Sequence, residues 1–167
     1  VIQAANQVIV NVPQITGDDA EKASLRGQAF GLRALSYFNL VRLYCMDYSV
    51  DPNSPGVPLR TTPASATSES PGRGTVQEVY NQITMDLDSA LEYAPGFSES
   101  ATFSTDAGHA LAARVYLYLQ NYDRAIFHAR QAYADHPLMG IDEMLAGLAE
   151  PNDEWIWSIQ YTPDDNS

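Results

Sequence analysis

Cysteine, histidine and basic side chains are scarce in this chain of 167 residues, and each scarcity excludes a class of chemistry. The single cysteine, Cys45, has no partner for an internal disulfide and cannot build a thiolate metal cluster. The three histidines, His109, His128 and His136, lack both the i, i+4 spacing and the cysteine companions of a zinc site. Nine Lys and Arg stand against 21 Asp and Glu, a net charge of −12, which opposes nucleic-acid phosphates and anionic lipid surfaces. No run approaches the roughly 18 consecutive apolar residues of a membrane-spanning helix.

Catalytic constellations are missing too. There is no Gly-x-Ser-x-Gly turn and no glycine-rich phosphate loop, Gly72-Arg73-Gly74 being too short to make one. Asp47, Asp51 and Asn53 lack the glycine and distal glutamate of a calcium loop. Asp86 and Asp88, the most tempting carboxylate pair, would point about 200° apart on a helix and could not flank one bond. The chain therefore reads as non-enzymatic, with no metal and no cofactor.

What is present is helical periodicity. Hydrophobic residues make up 45% of the chain, enough to bury a core. Ile2, Ala5, Ile9 and Val12 predict a helix that Pro13 stops. Gly17-Asp18-Asp19 is a turn and a candidate cap for a long helix over about 20–44, apolar on more than one face and so expected at the centre. Within it Arg33 needs a carboxylate or helix-end carbonyls, because an unpaired buried guanidinium is costly.

Thr75 and Glu78 form a capping box for a helix reaching about Tyr93, and further helices are expected over about 105–120 and 122–135. Ala90 and Ala132 each precede a terminating proline, Pro95 or Pro137, by five residues. This is the mark of a helix-pair repeat of about 40 residues. Ala113 and Ala125 supply the small side chains expected where paired helices cross closely.

Tyr37, Tyr44, Tyr116, Tyr118, Tyr122 and Tyr133 are expected mostly on interhelical faces. Trp155, Trp157, Ile159 and Tyr161 alternate with polar residues and predict a short C-terminal strand whose tryptophans pack on the last helix. The expected fold is mainly all-α: tetratricopeptide-like antiparallel helix pairs with a long loop insertion, 45–74, and that strand. The chain begins at Val1 and stops just past an apolar run lacking a strand partner. It is expected to be a single helical domain, 1–167, cut from a longer protein.

A succession of phrases is similar to one family. Asn6 in a leading helix is followed by Ala29-Phe30-Gly31-Leu32-Arg33-Ala34-Leu35-Ser36-Tyr37-Phe38-Asn39-Leu40-Val41-Arg42-Leu43-Tyr44, then Gly56-Val57-Pro58-Leu59. Thr75-Val76-Gln77-Glu78-Val79-Tyr80 comes next, then Ala112-Ala113-Arg114-Val115-Tyr116-Leu117 and Glu154-Trp155-Ile156-Trp157. In this order they resemble the SusD/RagB family of outer-membrane nutrient-binding lipoproteins. The resemblance implies a tetratricopeptide-like scaffold at the cell surface and a lipid anchor on a cysteine outside this chain. It also implies a TonB-dependent, SusC-like transporter as partner and non-enzymatic capture of a glycan or other nutrient oligomer. The chain departs from the family where Cys45 replaces a glycine and about ten residues intervene before Gly56.

By the same resemblance, the stretch after the first long helix is where glycan-binding members place ligand contacts. Tyr48, Asn53, Arg60 and Arg73 are the candidate ligand-binding residues there, since aromatic faces suit sugar C–H groups and forked donors suit adjacent hydroxyls. The alternative is a soluble tetratricopeptide-like scaffold that binds a partner protein or peptide. Half of the chain's ten prolines lie in 45–74, whose tail from Thr61 to Ser70 is rich in Ser and Thr. Limited proteolysis is therefore expected to cut first between Thr61 and Gly74, and first cleavage within 105–135 would refute this loop assignment.

Overall fold

Helix-start chemistry sets most of the element boundaries. The computed structural model describes residues 1–65, 67–147 and 152–159. Helix α1 (Ile2–Asn11) runs into a short 3₁₀ turn, Val12–Gln14, where Pro13 ends the α-helical pattern. The Asp18 side chain accepts from the Glu21 N–H at 2.9 Å and starts α2 (Asp19–Tyr44). For α3 (Val76–Tyr93) the Thr75 hydroxyl accepts from the Glu78 N–H at 3.1 Å. The Glu78 carboxylate reaches back to the Thr75 N–H at 2.7 Å, completing the expected capping box.

Ser104 and Asn121 cap α4 (Thr105–Tyr118) and α5 (Tyr122–Ala132) in the same way. The turn between them closes with the Asn121 N–H on the Tyr116 carbonyl at 2.9 Å and puts Gln120 at φ +56°. A further helix, α6 (Ile141–Ala146), lies where the sequence pattern had faded.

The helices pair antiparallel. Along α2, Gly27 faces Ala94, Arg33 faces Asp86 and Phe38 faces Tyr80, so the partner number falls as the α2 number rises. Across the second pair, Asp106 meets His136, His109 meets His128 and Tyr116 meets Arg124, again in reverse order. Helix α2 is central as expected, with α1, α3, α4 and the insertion packed on it. The core is built from Tyr37, Phe38 and Val41 of α2, Val76, Val79, Ile83 and Leu87 of α3, and Leu111, Ala112 and Val115 of α4.

Two glycines permit close approach on α2. A Cβ on Gly27 would lie 2.1 Å from the Ala94 backbone nitrogen, and one on Gly31 would lie 2.1 Å from the Phe103 ring. A methyl group at either position would force α3 or Phe103 away.

The insertion is tied at its base. Strand β1 (Pro55–Pro58) pairs antiparallel with β2 (Arg73–Thr75), Pro55 opposite Thr75 and Pro58 opposite Arg73. Val57 from β1 enters the core, which anchors the segment to the body.

Three expectations need correction. Tyr37 and Tyr116 are buried between helices and the half-exposed Tyr118 packs on Phe38 of α2, but Tyr44, Tyr122 and Tyr133 are exposed, because they fall on faces left largely open. Over its described part, 155–159, the C-terminal segment forms no strand ladder, and residues 160 and 161 lie outside the described residues. Its Ser158 N–H bonds instead to the Ser100 carbonyl at 2.7 Å. Trp157 packs edge-on against Phe103 at 5.5 Å, beside α4 and α2, and does not pack on the last predicted helix.

One polar cluster crosses the core. The Arg33 guanidinium donates through Nε and Nη2 to the two Asp86 oxygens at 2.8 and 2.6 Å. Its Nη1 donates to Asn6 Oδ1 at 2.8 Å and to the Thr61 carbonyl at 3.2 Å. Asn6 Nδ2 then donates to the carbonyls of Arg60 and Thr62 at 2.9 and 3.1 Å. All three side chains are buried, so Asp86 is spent on structure and Asp88 stays on the exposed face.

Removing one partner of such a pair strands the other charge, so Asp86→Asn is expected to cost about 3–5 kcal/mol in urea unfolding. The double replacement Arg33→Met with Asp86→Leu removes both charges and is expected to recover at least half of that loss. A double variant no more stable than Asp86→Asn would show that the loss does not come from an unpaired buried charge.

Candidate functional site

The start of α3 leaves backbone N–H groups without helical partners, and the insertion supplies acceptors for them. The Pro52 carbonyl accepts from the Gln77 N–H at 2.8 Å, and the Ser54 carbonyl from the Val76 N–H at 2.9 Å. The turn that presents these carbonyls is set by two aspartates. Asp47 Oδ1 accepts from the Ser49 N–H at 2.8 Å, and Asp51 Oδ1 from the Asn53 N–H at 2.9 Å. Hydrogen bonds from the Ser49 hydroxyl and amide hold the Asp47 carboxyl below the usual carboxylate range. These carboxylates thus serve the loop's own amides. Among the described residues no three or more His, Cys, Asp or Glu side chains are grouped to hold a metal ion.

Three of the four candidate residues gather around this helix start. The Tyr48 hydroxyl donates to Gln77 Oε1 at 2.6 Å, on the first turn of α3. Asn53 lies between Pro52 and Ser54, whose carbonyls cap the helix, and its side chain is exposed. Arg73 spans the ladder, donating through Nε to the Gly56 carbonyl at 2.6 Å and through Nη2 to the Pro55 carbonyl at 3.0 Å. Arg60 lies apart, at the far end of β1. Its backbone N–H donates to the Tyr37 hydroxyl at 2.7 Å, that hydroxyl donates to the Arg60 carbonyl at 2.8 Å, and its guanidinium donates to the Glu69 carbonyl at 2.7 Å.

An aromatic string leads from this surface into the core. Tyr48 stands edge-on to Tyr80 at 5.3 Å, Tyr80 to Phe38 at 6.4 Å, and Phe38 to Tyr118 at 5.2 Å. The Arg42 guanidinium lies over both Phe38 and Tyr118, at 4.9 and 5.2 Å, so the outer end of the string is a ring beside a cation. Burial, and next the nearby Asp47 charge, push the Tyr80 phenol well above its ordinary value, so it stays neutral. In the sequence Tyr118 was read only as an interhelical tyrosine and Arg42 only as part of the long helix. The i, i+4 spacing of Phe38 and Arg42 was the available signal.

Other hollows lie elsewhere, among them two beside α4. A cleft of about 350 Å³ is floored by Leu35, Phe103 and Leu111 and rimmed by Arg114, Glu154 and Trp155. An open apolar groove runs between α4 and α5, where Ala113 and Ala125 face it with Leu117, Tyr122 and Ile126.

Residues 1–117 match a family model described as SusD-like, starch-binding associating with the outer membrane. Two relatives from Formosa agariphila, SusD-like protein P38 and SusD-like protein P2, are each 30% identical, over 72% and 78% of this chain. Those matches cover 22% and 24% of the relatives, so the chain spans about a quarter of their length. Among solved structures, a SusD-like carbohydrate binding protein from Bacteroides vulgatus superposes with a TM-score of 0.89. It is 28% identical, over 98% of this chain and 36% of that one. A laminarin-binding SusD-like protein gives 0.67 at 26% identity, over 84% of this chain and 29% of that one.

The bonds around α3 rank the candidate residues by structural cost. Arg73→Ala removes two charge-assisted bonds and is expected to lower stability by about 1–2 kcal/mol, and Tyr48→Phe by about 0.5–1.5 kcal/mol. Asn53→Ala, whose side chain holds nothing among the described residues, is expected to stay within about 0.5 kcal/mol of the parent. Urea titration measures all three, and an Asn53→Ala loss as large as that of Arg73→Ala would overturn the ranking.

Proposed function

The chain belongs to the SusD-like family, and from that premise we propose that its parent protein captures a neutral glycan at the outer membrane for uptake through a TonB-dependent, SusC-like transporter. The parent is held at the cell surface by a lipid anchor outside this chain. Capture is non-enzymatic, since the most suggestive carboxylate pair is divided between a buried ion pair and an exposed helix face. The observation that carries the reading is the grouping of Tyr48, Asn53 and Arg73 on one helix start, over a scaffold that superposes closely on a SusD-like carbohydrate binding protein. A half-exposed ring, an outward amide and an arginine with unspent N–H groups are the parts from which sugar contacts are made. The net charge of −12 favours a neutral ligand over an anionic one.

Arg60, set apart from the other three, enters the reading as a second contact point for a ligand long enough to follow β1. A peptide-binding scaffold remains the alternative, and the open apolar groove between α4 and α5 is the feature that favours it.

Calorimetry of the intact parent protein against a panel of neutral glycans, including laminarin and starch, tests the proposal. Affinity is expected between about micromolar and millimolar, because a capture protein must release its cargo. Asn53→Ala is the decisive variant, as it removes a ligand contact without a structural cost, and a loss of about 3–10-fold is expected. Glycan binding unchanged in Asn53→Ala, and in Tyr48→Phe alongside it, would displace the site from this loop. Binding of an extended peptide with no glycan bound would replace the proposal with the scaffold reading.

A further inference from the structure

All three histidines of the chain lie on or just after the second helix pair: His109 on α4, His128 on α5 and His136 beyond it, with none on α1, α2 or α3. Although far apart in sequence, the Nδ1 atoms of His109 and His128 stand 2.9 Å apart. His128 is only 9% exposed, and its ring stacks on Tyr116 at 5.3 Å with an interplanar angle of 8°. The Tyr116 hydroxyl in turn accepts from Arg124 Nη1 at 2.6 Å. Phe127 stands edge-on to both imidazoles and flanks the pair.

Two Nδ1 atoms at this distance hold one proton between them. One ring carries its hydrogen on Nδ1 and donates, and the other carries its hydrogen on Nε2 and accepts. The first added proton lands on the donor's free Nε2 and leaves the bond intact. The second must land on the accepting Nδ1, where it turns the acceptor into a donor and sets two cations face to face. The two rings therefore titrate as a pair.

We propose that the His109–His128 bond is an acid-opened clasp: double protonation loosens α5 from α4 while the α2–α3 pair stays closed.

The surroundings bear on this from each packed element. Burial pushes His109 below its ordinary value, and Asp106 on its own helix only partly offsets that. Burial likewise lowers His128, helped by the His109 and Arg124 charges and opposed by Asp88 of α3. His136 Nε2 lies 3.1 Å from Asp106 Oδ2, a second contact between α4 and the residues just past α5. A histidine held below its ordinary value binds protons more readily once α5 is loose. The advantage of the closed form is thus complete above about pH 6.5 and shrinks as pH falls, by at most tenfold per pH unit for each such group.

Hydrogen exchange on the 167-residue chain, corrected for intrinsic exchange rates, reads the clasp directly. Between pH 7.5 and 5.0 the protection of α5 amides is expected to fall at least about tenfold relative to α3 amides. The double variant H109Q/H128Q is expected to lose that pH dependence. An equal fall in α3, no fall in α5, or the same fall in the variant would overturn the proposal. If the variant does not fold, nitrogen chemical shifts of the parent's imidazoles at pH 8 decide: opposite tautomers on the two rings support the clasp, and the same tautomer on both overturns it.

Discussion

Burying Arg33 in the middle of α2 constrains the rest of the molecule. A guanidinium in a core must find a carboxylate for its charge and acceptors for its remaining N–H groups, or the fold loses several kcal/mol. Here the carboxylate comes from α3 through Asp86, one acceptor from α1 through Asn6, and another from the insertion through the Thr61 carbonyl. These contacts reach 27 to 53 residues along the chain, so satisfying one side chain fixes where α1, α3 and the loop meet α2. An apolar residue at the same place could pack with any of several partners. The arginine accepts only the arrangement that completes its bonds.

Much of this was legible from residue types. The Gly17-Asp18-Asp19 turn, the Thr75 and Glu78 capping box and the proline stops marked where α2 and α3 begin and where α1 and α3 end, since each acts within a few residues. The need of Arg33 for a carboxylate followed from its apolar surroundings, although which aspartate answers it depends on helix packing. The exposed tyrosines were misread for the same reason. Helical spacing tells which residues share a face, whereas whether another element covers that face is a tertiary fact. The C-terminal tryptophans alternate as a strand would, yet a strand is completed by its neighbour, and over 155–159 the backbone bonds to Ser100 instead.

At the candidate site, the sequence proposed a segment and left open what its side chains do. Tyr48 and Arg73 were chosen as ring and forked donor; Tyr48 also ties the insertion to α3 through Gln77, and Arg73 closes the insertion on itself through the β1 carbonyls. In the proposed reading one planar group serves both loop order and ligand contact, and a side chain already fixed loses little freedom on binding. The histidine pair shows the opposite limit. Residues on two helices, without metal spacing, gave no signal until the antiparallel crossing brought their rings together.

The tie at the base of the insertion separates two kinds of inheritance. Between Pro55 and Ala64 the chain is held at several points, by the ladder, Tyr37, Asn6 and Gln3, and Arg73 closes the return path. The described residues of 65–72 lie inside that closure, and doubling the length of a closed loop costs only about 0.6 kcal/mol. Insertions, deletions or wholesale exchange of those few residues can therefore accumulate without disturbing α2 or α3. The scaffold can drift slowly while its outermost turn is rewritten quickly, and the same boundaries mark where a foreign segment could be grafted.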